Sequence, residues 1–179
     1  MKVHHLNCGT MAFGFVDHCL LVETTSSGLV LVDTGFGVAC VRNPRILGWT
    51  RRIVGPILRE GETAVRQIEA LGYDPVDVRH ILLTHLDYDH TGGLADFPWA
   101  TVHVHGPEHR ASRQPTTVDR IRYRTEQLCG HGVNWRVNDL DGGEPWFGFD
   151  AVRDLDGLPS EILVVPLYGH SRGHVGIAV

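Results

Sequence analysis

Four side chains able to bind a metal stand within six residues in the stretch Thr84-His85-Leu86-Asp87-Tyr88-Asp89-His90-Thr91-Gly92-Gly93. No other stretch constrains the fold as strongly, because such donors must converge from a rigid element and stay out of an apolar core. The preceding sequence supplies that element. Leu29-Val30-Leu31-Val32 and Val78 to Leu83 are apolar runs of strand length, and between them Ala64, Val65, Ile68 and Leu71 recur at helical spacing. Gly72 stands where a helix-ending glycine belongs. Strand, helix, strand makes an α/β unit. The His/Asp cluster follows the carboxyl end of its second strand, where such units carry their chemistry.

Elsewhere, Cys19-Leu20-Leu21-Val22 reads as a strand joined to Leu29–Val32 by the polar turn Glu23 to Gly28. Residues 38–60 contain Pro44, Gly48, Gly55 and Pro56 and read as an irregular flap. Thr101 to His105 is a short strand. Glu108 to Leu128 is helical in part, with its arginines on a solvated face, and Asp139 to Pro159 is loop around a short strand at Phe149 to Val152. Ile162 to Val165 leads into Tyr168-Gly169-His170-Ser171-Arg172-Gly173-His174, followed by the apolar run Val175 to Val179. The 179 residues suit one domain, spanning 1–179.

A net charge of −5 with no basic block gives no electrostatic footprint for nucleic acid. Apolar runs of strand length do not span a bilayer as helices, and Met1-Lys2-Val3-His4-His5 does not open a secretory signal. A soluble, cytoplasmic protein without membrane partners is expected. Cys8, Cys19, Cys40 and Cys129 are widely spaced and read as free, buried thiols. Twelve histidines, by contrast, demand an explanation, since imidazole is the commonest metal ligand.

Alternation along the backbone lets His85 and Asp87 face one way, while the turn carries Asp89 and His90 to a neighbouring position. Gly92 and Gly93 permit close backbone approach and a sharp exit. A surface loop can gather such residues by chance, but seldom at this density behind a strand. His170, flanked by glycine and also behind an apolar run, adds a donor from a distant part of the chain.

His85-Leu86-Asp87-Tyr88-Asp89-His90 resembles the H-x-H-x-D-H signature of the metallo-β-lactamase superfamily, with Asp87 in place of the second histidine. Leu31-Val32-Asp33-Thr34-Gly35 resembles its upstream Asp-Thr-Gly motif, and Gly169-His170-Ser171-Arg172-Gly173-His174 its G-H-[ST]-x-G-H motif. The three stand in family order and cover the chain from about residue 15 onward. The resemblance implies an α+β fold, a four-layer αββα sandwich incomplete at the C-terminus. It also implies a first metal site at His85, Asp87 and His170. Asp89 and His90 would form half of a second site, whose bridging Asp and last His have no counterpart within this sequence. Asp33 resembles a residue that orients the site without binding metal. The implied cofactor is Zn2+, one or two ions. Fe2+ is an alternative, since two histidines and one carboxylate suit it, and Mn2+ is another.

His103 and His105 alternate on one strand face without a partner motif and are assigned structural or surface roles, as are His4, His5, His18, His80, His109 and His131. The resemblance places His174 near the site as packing or as support behind the ligands, and Trp146-Phe147-Phe149 reads as core or flap packing.

The expected activity is hydrolysis of a small-molecule ester, thioester, lactone or amide by a metal-activated water. Asp89 is the candidate catalytic residue, orienting the nucleophile and passing a proton to the leaving group. A mononuclear or di-iron redox enzyme on the same scaffold is one rival, and an inactive metal-binding fragment another. The uncapped run Val175 to Val179 would leave an edge open to self-association.

Overall fold

A strand whose side chains point alternately to two faces is apolar throughout only where both faces are covered. Leu29–Val32 is buried at all four positions, with Leu29 and Leu31 in one core and Val30 and Val32 in another. The computed structural model describes residues 1–179, the side chain of Ala151 excepted. Strands β1 (Lys2–Thr10), β2 (Val16–Glu23), β3 (Leu29–Val32), β4 (Val78–Leu82), β5 (Thr101–His105) and β6 (Asn134–Asn138) form one sheet in that order. Its first three strands are antiparallel, and β3 to β6 run parallel. Strands β7 (Glu144–Trp146), β8 (Phe149–Asp154), β9 (Leu163–Pro166) and β10 (Val175–Ala178) form an antiparallel second sheet, ordered β10-β9-β8-β7.

Leu6, Leu21, Leu31, Ile81 and Val102 pack with Ile68, Ala111 and Leu128 of the helices Ala64–Ala70, Gly106–Arg113 and Thr125–Cys129. On the other face Val22, Val30, Val32 and Leu82 pack against Ile162, just before β9, and Val164 and Val175 of the second sheet. The layers therefore run helix, sheet, sheet, the expected α+β sandwich. The elements after Asn138 are all strands, so within these residues the αββα arrangement has three of its layers. No helix among the described residues is long and apolar enough to cross a membrane.

Residues 38–60 are more ordered than their Pro and Gly content suggests. They form helical turns at Val38–Arg42, Pro44–Leu47 and Arg51–Val54, around a small core of Phe36, Cys40, Leu47 and Tyr88. Pro44 opens one turn and Gly55 closes another, so the residues that read as breakers are boundaries. Strand β6 escapes a hydrophobicity reading because Asn134-Trp135-Arg136-Val137-Asn138 is mostly exposed and held by pairing to β5. Phe147 is 88% exposed and Phe149 is also exposed, so neither belongs to the core, and Phe147 packs edge-on to Trp146. Cys8, Cys19 and Cys40 are buried free thiols, whereas Cys129 is exposed.

Because β3, β4 and β5 are parallel neighbours, the chain leaves all three at the same edge. The β9–β10 connection reaches that edge too, and the Val175 amide donates to the Thr84 carbonyl at 2.9 Å. Glu108, one turn into the helix that follows β5, locks these loops together. Its side chain is 1% exposed. Oε1 accepts from the Leu86 amide (3.0 Å) and the Tyr123 hydroxyl (3.1 Å), and Oε2 from the Ser171 hydroxyl (2.7 Å) and the Gly173 amide (2.9 Å). Four donors satisfy a carboxylate that would otherwise be costly to bury.

Glu108→Ala strands these donors and is expected to cost on the order of 3 kcal/mol or more of folding stability in urea titrations. Arg110→Ala, which breaks only the exposed 3.3 Å pair with Asp139, should cost less than about 1 kcal/mol. Equal losses would contradict the locking role. His103 gives a pH-dependent expectation. Burial first, then repulsion from His80 and Arg136, lowers its pKa to about 4. Its Nε2 lies 3.0 Å from His80 Nδ1. Unfolded chains take up that proton near pH 6.5, so stability falls as pH drops from about 6.5 toward 4, by about 2 kcal/mol at pH 5 from this group. His103→Gln should remove that share of the acid sensitivity; an unchanged pH slope would refute it.

Candidate metal centre

The centre is built from the ends of β3 and β4. Asp33 adopts a left-handed backbone (φ 55°), uncommon for a residue with a side chain. Its Oδ1 accepts from the Thr84 amide (2.8 Å), and Oδ2 accepts from the Thr84 hydroxyl (2.7 Å) and from His90 Nδ1 (2.9 Å). With its own proton given to Asp33, the Thr84 oxygen accepts from His85 Nδ1 at 2.9 Å. Nδ1 of each imidazole is thus committed as a donor, which turns Nε2 of each toward the cleft. The two loops meet backbone to backbone. The Thr34 amide and hydroxyl donate to the His90 carbonyl at 3.0 and 2.8 Å. A Cβ on Gly92 would stand 2.7 Å from the Gly35 carbonyl oxygen, so only glycine permits this approach.

His85, Asp87 and His170 come together at this edge. His170 Nε2 is 3.1 Å from His85 Nε2 and 3.1 Å from Asp87 Oδ2, and the third side of the triangle is 3.4 Å. Donors held about 2.0–2.1 Å from a tetrahedral zinc ion would be spaced about 3.3 Å apart, so the triangle fits a metal. Asp87 has a further partner. Arg122 donates from Nε to Oδ1 (2.7 Å) and from Nη2 to Oδ2 (2.8 Å), and its remaining nitrogen reaches the His170 carbonyl. Burial opposes the charge on Asp87, but His85 and Arg122 prevail and hold its pKa well below the usual carboxylate range.

Asp89 and His90 form an adjoining cluster with Asp17 of β2, a residue outside every motif. One donor atom of each lies within 4.8 Å of the others. Asp17 is buried, and its Oδ2 has no hydrogen-bond partner. Burial, then the neighbouring Asp89 charge, pushes its pKa up to about 8. Burial works against a charged His90, yet the charge and hydrogen bond of Asp33 raise its pKa to about 9. Asp33 shows the reverse: burial is outweighed by His90, and its pKa is lowered.

Among the described residues no other histidine joins either cluster. His174 Nδ1 donates to the Leu167 carbonyl at 2.8 Å and packs edge-on to His85 and His170. His105 donates to the Gly173 carbonyl at 3.2 Å, so its role is to hold the His170 loop. The arginines between residues 110 and 124 do not all lie on a solvated face. Arg122 grips Asp87, and Arg124 donates to the Leu47 carbonyl and the Thr50 hydroxyl while covering the Tyr88 ring. Asp17, Glu108 and Arg122 are the site residues that motif reading passes over. Asp17 alone left a trace in the sequence, an acidic residue in step with Cys19 and Leu21 on the inward face of a strand.

Beside Asp17, Asp89 and His90 opens a groove of about 400 Å³ walled by Met11, Phe13, Phe15, Val16, Ile53 and Val54. Phe13 is 92% exposed, and Phe15 and Ile53 are also exposed.

The chain is 50% identical to a probable metallo-hydrolase of Mycobacterium tuberculosis, an alignment covering 100% of this chain and 58% of that protein. It is 29% identical to an N-acyl homoserine lactonase of Azorhizobium caulinodans, covering 99% of this chain and 66% of that one. A solved N-acyl homoserine lactone hydrolase with the product N-hexanoyl-L-homoserine bound at its catalytic metal centre superposes with a TM-score of 0.72 at 25% identity, covering 98% of this chain and 69% of the other. The chain thus spans little more than half the length of the first of these relatives. Residues 13–179 match the family profile described as Metallo-beta-lactamase superfamily, and the chain belongs to that superfamily.

Proposed function

We propose that this chain carries the metal centre of a hydrolase acting on a small carboxylic ester or lactone with an apolar acyl chain. The observation that carries this reading is the triangle of His85, Asp87 and His170, whose two histidines lie 85 positions apart in sequence. A metal held there, Zn2+ by the donor set, supplies a Lewis acid and a water acidified enough to attack a carbonyl at neutral pH. The protein's own residues do the rest. Asp33, through Thr84 and directly, engages Nδ1 of His85 and His90 and so turns the Nε2 atom of each toward the cleft. Arg122 offsets the charge of Asp87, so that the set of two imidazoles, one carboxylate and one guanidinium is as neutral as three imidazoles would be. Asp89 lines the groove and is placed to accept a proton from the attacking water and deliver it to the leaving oxygen. Phe13, Phe15 and Ile53 form an apolar wall for an acyl chain.

The relatives named as lactonases support an ester or lactone over a thioester or amide. An iron redox role draws support only from the two-histidine, one-carboxylate set.

A panel of lactones and aryl esters graded in acyl length tests this reading. Turnover should be lost with chelator and regained with Zn2+, and KM should fall as the acyl chain lengthens. Indifference to chelator would refute the metal-dependent reading. His85→Ala and His170→Ala are each expected to lose metal by elemental analysis and to reduce kcat/KM by about 100-fold or more. His103→Ala should keep its metal; loss equal to that of His85→Ala would refute the ligand assignment.

A further inference from the structure

We infer that Asp17 is a protein ligand of a second divalent cation, held with Asp89 and His90. The inference rests on the metal-centre reading above and extends it to a residue outside the three motifs. Several observations converge on Asp17. It occupies the inward face of β2 with Cys19 and Leu21, where an apolar residue is the rule, yet it is 4% exposed. Its Oδ2 is buried without a donor, and a buried carboxylate with an orphan oxygen calls for a cation partner.

The backbone makes room for this carboxylate instead of excluding it. Pairing of β1 with β2 changes register between Asn7 and Thr10. Opposite stands Gly9, where a Cβ would lie 2.4 Å from Asp17 Oδ2 and 2.5 Å from the Phe36 ring. Any larger residue at position 9 would displace the carboxylate. The local charge also favours a cation. Asp17, Asp33 and Asp89 gather around one imidazole, His90, whose Nδ1 is already committed to Asp33. A donor from each of Asp17, Asp89 and His90 lies within 4.8 Å of the others, and two carboxylates with one imidazole suit Zn2+, Mn2+ or Fe2+. The cluster opens on the same groove as the apolar wall, so an ion there would adjoin a bound substrate.

The test is calorimetric titration of the chelator-treated 179-residue chain with ZnCl2, paired with thermal melts. Wild type is expected to bind two equivalents. Asp17→Asn keeps the shape and removes the charge. It should weaken the second equivalent at least tenfold, spare the first, and melt no lower than wild type without metal, since Oδ2 has no hydrogen-bond partner to lose. His170→Ala should do the opposite, losing the first equivalent and keeping the second. An Asp17→Asn protein that binds both equivalents as wild type does, or that melts lower without metal, overturns the inference. One equivalent in wild type, lost in His170→Ala, also overturns it and leaves the His85, Asp87 and His170 centre standing. No binding at all overturns both.

Discussion

The carboxylate of Asp33 is the constraint on which the rest of the centre depends. It sits at the end of a strand buried on both faces, in a left-handed backbone conformation that aims it across to the neighbouring strand. From there it accepts hydrogen bonds from the Thr84 amide, the Thr84 hydroxyl and His90. Through Thr84 it also sets the proton on His85. One buried group thereby fixes the orientation of two imidazoles, turning Nε2 of each toward the cleft. The fold supplies its rigidity. Strands β3 and β4 are parallel neighbours, and the glycines of the two following loops let their backbones touch.

Two further charges complete the arrangement, each answering a different cost. Glu108 is buried and fully satisfied, and its four acceptor contacts tie the 85–90 loop to the 169–174 loop. That tie brings His170 to His85. Arg122 answers the presence of a carboxylate at position 87. An aspartate among imidazoles would add a negative charge to the donor set, and a bidentate guanidinium offsets it while also holding the His170 backbone.

Much of this was legible in the sequence, for physical reasons that particular residues make plain. The all-apolar Leu29–Val32 announces a strand covered on both faces, and the helical spacing of Ala64, Ile68 and Leu71 announces the element between β3 and β4. His85, Asp87, Asp89, His90 and His170 are legible because their chemistry is concentrated behind strands, and the structure brings them together in two adjoining clusters. Strand β6 is not legible, because its residues are polar and its pairing comes from β5. Glu108 and Arg122 are hidden for a common reason. Each acts through a partner remote in sequence, so its local context looks like an ordinary helix position.

Anomalous scattering from a crystal grown with zinc, measured on both sides of the zinc absorption edge, tests the central claim most directly. A peak bonded to His85 Nε2, Asp87 and His170 Nε2 is expected, with His90 still donating from Nδ1 to Asp33. Zinc bound elsewhere, with His85 and His170 left uncoordinated, would contradict the assignment of this edge of the sandwich as the metal centre.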